Sequence, residues 1–135
     1  MPFIDWTAQY RVNVALIDEQ HQRLLQMLND LYEAMVERRS AEGLRQAIDR
    51  MGNYAREHFV VEEQYMAELD YPDQQQHLVQ HARFTRKTQE LQDRMATGKL
   101  VLSLEVVSYL RDWLTNHILH TDKRLGAFLN EHGIR

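Results

Sequence analysis

The sequence predicts an all-α protein, an antiparallel up-down-up-down four-helix bundle with an extended N-terminal arm. Its 135 residues include only five Gly and two Pro, which leaves little material for the tight turns of a β fold. Apolar residues recur at helical spacing in four stretches of more than twenty residues each. Short connections separate these stretches, so consecutive helices should pack antiparallel.

The arm and the first helix occupy the N-terminal part of the chain. Residues 1–17 carry alternating apolar side chains and Trp6, and we expect this arm to pack on the bundle. The first helix is predicted at about 18–38. Asp18 suits the positive N-terminal end of that helix and Arg38 its negative C-terminal end.

Three further helices are predicted at about 41–69, 73–96 and 103–130, within one domain that spans 1–135. Ser40 and Ser103 are good N-caps for the second and fourth helices. Pro72 interrupts the chain between the second and third, because the residue before a proline avoids helical geometry. Gly98 suits a left-handed cap at the end of the third helix.

Composition excludes several classes of function. The net charge is -4 and no basic block occurs, which argues against nucleic acid or a membrane surface as partner. The absence of cysteine excludes thiolate metal sites and disulfides. No signal-peptide pattern and no run of ~18 apolar residues is present, so we expect a cytoplasmic protein. No long apolar stripe is left over, which favours a monomer.

Five histidines and two carboxylates lie in order along the four predicted helices. Two pairs are four residues apart, so each pair projects from one helix face. They continue the apolar rows of their helices and should point inward, where unpaired polar groups are costly. Imidazole and carboxylate groups that converge from several helices suit transition metals. These candidate ligands are His21, His58, Glu62, His77, His81, His117 and Asp122.

The size of this set indicates two ions. Five imidazoles, two bridging carboxylates and one shared solvent oxygen supply about eleven of roughly twelve positions around two six-coordinate ions. One position would then remain for a small ligand. The nitrogen and oxygen donors alone accommodate either iron or manganese.

His117 and Asp122 have an unusual spacing for two ligands on one helix. They are five residues apart, which rotates them by ~140° on an ideal α-helix. If both bind metal, the fourth helix must be locally widened, for instance by a π-bulge.

At these residues the chain resembles the hemerythrins, specifically the single-domain bacteriohemerythrins. The resemblance covers Asp-Glu-Gln-His to His21, both four-residue pairs, and Trp-Leu-x2-His-Ile-x3-Asp-Lys from Trp113. It implies two irons bridged by Glu62, Asp122 and a solvent-derived oxygen. His77, His81 and His117 would hold one iron, and His21 and His58 the other, which keeps the open position. The residues implied to line the oxygen pocket are Leu24, Phe59, Trp113, Leu114 and Ile118.

The predicted function is therefore that of a non-haem di-iron protein that binds dioxygen reversibly, for storage, delivery or sensing, and is not an enzyme. An open iron can also accept nitric oxide or peroxide. A peroxidase, a nitric oxide-handling enzyme and a module that senses oxygen or iron thus remain alternatives. The implied pocket residues include no ionisable group to act as a general acid, which disfavours peroxide cleavage.

Overall fold

The computed structural model describes residues 2–99 and 102–135. Met1, the first residue of the predicted arm, and residues 100 and 101 of the connection before the fourth helix lie outside the described residues. The described part is helical and contains no strand, and the predicted all-α four-helix bundle is confirmed. A π-helical segment, His117–Asp122, joins the last two helices into one rod. The helices are α1 (Ala15–Val36), α2 (Ala41–Glu68), α3 (Gln74–Ala96), α4 (Leu104–Asn116) and α5 (Lys123–Glu131).

The first helix begins at Ala15, three residues before the predicted start. Asp18 does not begin the helix. Its carboxylate accepts hydrogen bonds from the backbone N–H groups of Val12, at 2.7 Å, and Asn13, at 3.2 Å. The acidic side chain thus reaches back from the first turn to stabilise the end of the arm, which sequence spacing alone does not reveal.

Capping residues set most of the other helix ends. The first helix stops at Val36 because Arg38 adopts a left-handed backbone with φ of 54°. The hydroxyl of Ser40 accepts the backbone N–H three residues later at 3.2 Å, and that of Ser103 does the same at 3.3 Å. Gly98 has φ of 71°. The two predicted N-caps and the predicted left-handed glycine are confirmed.

The arm packs on the bundle, as predicted. The backbone N–H of Ile4 donates to Asn29 Oδ1, and Asn29 Nδ2 donates to the Ile4 carbonyl, both at 2.8 Å. Trp6 packs against buried apolar side chains of the bundle. At the other end of the arm, a Cβ on Gly126 would lie 2.3 Å from the Val12 carbonyl oxygen, so only glycine lets α5 approach the arm this closely.

The interior consists of two apolar clusters at successive levels of the bundle. One contains Leu24, Phe59, Phe84, Leu114 and Ile118 among its buried residues. The other contains Ile17, Met66, Tyr71, Leu125 and Leu129. Within the described residues, no helix is long and apolar enough to cross a membrane.

Candidate metal centre

The seven candidate ligands form a polar layer between the two apolar clusters. Along α1, His21 lies between Ile17 of one cluster and Leu24 of the other. Along α2, Glu62 lies between Phe59 and Met66 in the same way. Helix α3 and the last helical rod also carry their candidate ligands between residues that pack in the two clusters. All seven side chains belong to buried residues, with no more than 4% of any residue exposed: His21, His58, Glu62, His77, His81, His117 and Asp122.

The two oxygens of Glu62 face different histidines. Glu62 Oε1 lies 3.0 Å from Nε2 of both His77 and His81. Glu62 Oε2 lies 2.8 Å from Nε2 of His58 and 3.4 Å from Nε2 of His21. One carboxylate thus stands between a histidine group from α3 and another from α1 and α2.

Asp122 divides its oxygens in the same way. Asp122 Oδ1 lies 3.1 Å from Nε2 of both His77 and His117. Asp122 Oδ2 lies 3.0 Å from Nε2 of His21. Two overlapping groups result, and within each the candidate ligand atoms lie within 4.8 Å of one another. They are Glu62, His77, His81, His117 and Asp122 in one group, and His21, His58, Glu62 and Asp122 in the other.

The predicted widening of the last rod is confirmed. Residues His117–Asp122 form a π-helical segment between two α-helices. A π-turn contains more residues than an α-turn, so positions five apart fall closer to one face. Both His117 and Asp122 are consequently buried in the layer, while the intervening His120 is exposed.

Three side chains outside the predicted set orient the histidine rings. His58 Nδ1 donates to Gln20 Oε1 at 2.6 Å, and His81 Nδ1 donates to Glu63 Oε2 at 2.8 Å. His117 Nδ1 donates in the same way to the amide oxygen of a glutamine on α3, Gln80 Oε1, at 2.7 Å. A proton on Nδ1 leaves the lone pair of Nε2, which points into the layer, free to bind a metal ion.

Sequence reasoning missed these three acceptors, although a signal was present. Gln20 precedes His21, Gln80 precedes His81 and Glu63 follows Glu62. A residue next to a ligand is rotated by ~100° around the helix and therefore faces a neighbouring helix. Each of the three accordingly supports a histidine on a different helix from its own.

Electrostatics keep both carboxylates ionised inside the protein. Burial opposes their charge, but the surrounding histidines hold the pKa of Glu62 and of Asp122 well below the ordinary range. Burial also opposes the charge of His21 and His77, yet the two carboxylates that face these rings raise the pKa of each to about 9. Metal ions could displace the protons of these two histidines and take their place beside the two carboxylates.

Comparisons with known proteins place this geometry in a family. The family model described as "Hemerythrin HHE cation binding domain" matches residues 12–129. The chain belongs to the hemerythrin family. It is 32% identical to a bacteriohemerythrin of Stenotrophomonas maltophilia, over 98% of this chain and 90% of the relative. It is 29% identical to one of Methylococcus capsulatus, over 96% of this chain and 99% of the relative.

A solved structure agrees with this assignment. The crystal structure of a wild-type hemerythrin superposes with a TM-score of 0.88 at 28% identity, over 93% of this chain and 96% of that one. Family membership and the buried cluster together support a di-iron protein of the oxygen-binding type.

The side chains of this hemerythrin-family chain fit a pair of metal ions. Eight nitrogen and oxygen atoms of the seven residues are buried without a hydrogen-bond partner among the described residues. Two are Nδ1 of His21 and His77, and the other six are Nε2 of His21, His58 and His117, Oε2 of Glu62, and both oxygens of Asp122. Buried polar atoms are nearly always satisfied in native proteins. Two cations held in the layer would satisfy the latter six atoms.

Aromatic and aliphatic side chains surround the centre. The Phe59 ring stacks on His81 with centroids 3.9 Å apart, and the Trp113 ring stacks on His117 at 4.7 Å. Of the five predicted pocket residues, Leu24, Phe59, Leu114 and Ile118 are buried, and Trp113 is partly buried against them. A groove of about 930 Å³ between α2 and α3 reaches Phe59 and His81 from outside.

Proposed function

We propose that this protein holds two iron ions and binds dioxygen reversibly, for storage, delivery or sensing. The observation that carries the proposal is the division of oxygens in the polar layer. Glu62 and Asp122 each direct one oxygen to one histidine group and the second oxygen to the other. Carboxylates that lie between two clusters of imidazoles suit a bridged pair of ions better than a single ion.

The seven side chains then take distinct roles. His77, His81 and His117 would hold one iron, and His21 and His58 the other. Glu62 and Asp122 would bridge the two, together with a solvent-derived oxygen. With three histidines on one iron and two on the other, the second iron would keep an open position. When bound, the iron pair supplies redox electrons and that open coordination position.

The rest of the chain favours binding over catalysis. Gln20, Glu63 and Gln80 hold three imidazole rings in the tautomer that presents Nε2 to the layer. Leu24, Phe59, Trp113, Leu114 and Ile118 would line the oxygen pocket, where apolar walls exclude water and supply no proton to dioxygen. The five proposed pocket residues thus include no general acid. This supports a carrier or sensor over a peroxidase.

A visible absorption spectrum tests the proposal. Iron-loaded protein is reduced without air, exposed to dioxygen and then flushed with inert gas. We expect a charge-transfer band that appears with dioxygen and disappears on flushing. Direct conversion to the ferric form without such a band would contradict reversible binding.

Two controls separate the alternatives. Glu62→Gln removes one bridging charge and should reduce both the iron content and the band. Rapid turnover with peroxide or nitric oxide and a reducing dye would support the enzyme alternatives instead, because a carrier should turn over slowly.

The same proposal includes a cytoplasmic monomer without a nucleic-acid or membrane partner. The lack of cysteine suits a reducing compartment, and the net charge of -4 disfavours polyanionic partners. Sedimentation of the iron-loaded protein at several concentrations measures the oligomeric state, and a dimer would refute that part.

A further inference from the structure

A basic depression lies on the surface where α3 meets the last helical rod. Two adjoining cavities, of about 400 Å³ and 490 Å³, share His120 and Arg124 in their walls. Arg83 joins the first cavity and Lys123 the second, and all four side chains are exposed. No Asp or Glu of the described residues lines either cavity. We call these two cavities together the basic depression.

Its cations are not neutralised locally. Among residues 2–99 and 102–135, four Lys or Arg side chains form ion pairs with carboxylates: Arg39, Arg45, Arg94 and Arg111. Arg83, Lys123 and Arg124 therefore form no salt bridge there. The nearby carboxylate of Asp112 is engaged by Arg111 at 3.1 Å. This concentration of unpaired positive charge produces a locally positive field on a chain of net charge -4.

The floor of the depression leads directly to the metal centre. Trp113, Gln80 and His117 all line the smaller cavity. The rings of Trp113 and His117 stack with centroids 4.7 Å apart and planes 14° apart. Gln80 accepts a hydrogen bond from His117 Nδ1 at 2.7 Å. A molecule seated here would lie against His117, a proposed iron ligand, and against the two side chains that contact its ring.

We propose that the basic depression is the docking surface for a small acidic electron-transfer protein that re-reduces the iron pair. The inference rests on the proposed function, because dioxygen binding needs both ions ferrous, and a pair oxidised to the ferric form by loss of its electrons to dioxygen would need an external reductant. The chain contains no cysteine that could serve as its own reductant. The partner would deliver two electrons in two single-electron steps, one to each ferric ion. The partner is oxidised, and no atom or bond is exchanged between the proteins.

The complementary charges explain why the partner is acidic. Rim charges act mainly on the rate of encounter, and steering of this kind raises association rates by about 10- to 1,000-fold at low salt. The rate of reduction should therefore fall as ionic strength rises.

The test uses the full-length iron-loaded protein in its ferric form and a purified, reduced acidic 2Fe–2S ferredoxin as probe. Its oxidation is followed by stopped-flow absorbance at several salt concentrations. Binding of the oxidised probe is measured separately by calorimetry. Arg124→Glu reverses a charge within the depression. Arg50→Glu, an exposed arginine on α2 that forms no salt bridge in the described part of the chain, is the matched control.

We expect Arg124→Glu to slow ferredoxin oxidation at least tenfold at low salt and to weaken binding, and Arg50→Glu to change the rate less than twofold. Equal effects of the two variants, or a wild-type rate that does not depend on salt, would overturn the docking surface. Reduced flavin mononucleotide is tested in the same way. If it reduced the iron faster than ferredoxin does and were slowed as much by Arg124→Glu, the depression would be a small-anion site and the docking surface would be overturned. Protein reduced chemically with dithionite separates the two proposals: a dioxygen band without reaction with ferredoxin refutes only this inference, whereas no band refutes the proposed function.

Discussion

Removing the iron should lower the free energy of unfolding of this protein by about 6 kcal/mol. Of the buried nitrogen and oxygen atoms of the polar layer that have no hydrogen-bond partner among the described residues, six would contact the ions. A buried polar group left unsatisfied costs about 1–3 kcal/mol. We take the lower value, about 1 kcal/mol for each atom, because these nitrogens and oxygens also attract one another across 2.8–3.4 Å.

The expected change in melting temperature follows from the size of the chain. For a domain of 135 residues, each kcal/mol shifts the midpoint by about 3 °C, so metal-free protein should melt about 20 °C below the iron-loaded form. The assay is thermal unfolding by circular dichroism, before and after chelation, and again after iron is restored. The free-metal concentration must be held constant, because ligand binding makes the midpoint depend on it.

A control variant and a refuting result can be defined for this experiment. In Glu62→Gln, which should bind less iron, chelation should shift the midpoint much less than in wild type. Identical melting of the iron-loaded and metal-free wild type would refute the reasoning, because the layer would then be satisfied without metal.

Three further perturbations test separate parts of the structure. Gly126→Ala should lower the free energy of unfolding in urea by about 1–3 kcal/mol, because the new Cβ would overlap the arm. Gly43→Ala, whose new Cβ would have its nearest neighbour at 3.4 Å, should instead raise it by about 0.5 kcal/mol. Similar effects of the two substitutions would contradict the close contact. Glu63→Gln removes a partly exposed negative charge and should raise the reduction potential of the iron pair by about 40 mV. This shift corresponds to about 1 kcal/mol after solvent screening. A lower potential in spectroelectrochemistry would be inconsistent with this expectation. In metal-free protein, the pKa values of His21 and His77 are raised to about 9, so their stabilisation is complete below pH ~6.5 and is lost as pH rises through about 9. The urea midpoint of metal-free protein should therefore fall between pH 6 and pH 9, and a rising midpoint would argue against the charged histidines.

Local features of the fold were predictable because they depend on neighbours along the chain. Ser40 and Ser103 cap helices through hydroxyls that reach only three residues ahead. The spacing of His117 and Asp122 indicated the widened turn, because an ordinary helix cannot place both on one face. The start of α1 was misplaced, because Asp18 contacts the arm rather than the first turn of its own helix.

The hydrogen bonds that orient the histidine rings could not be predicted from neighbours along the chain. Gln20 on α1 reaches His58 on α2, and Gln80 on α3 reaches His117 on the last rod. Such contacts depend on the rotation of each helix about its axis relative to its neighbour. That rotation is set by how side chains pack across the bundle, and no single-helix pattern records it.

The sequence by itself determined the chemistry of this protein: a bundle of helices with imidazole and carboxylate groups, and no thiolate, at one level of its interior. Helical periodicity suffices for that, since it assigns each residue to a face of its own helix. Only the tertiary structure decided which oxygen of Glu62 and Asp122 faces which histidines, and which surface lies above His117. These are relations between helices distant in sequence, and they arise from packing the two apolar clusters on either side of the polar layer.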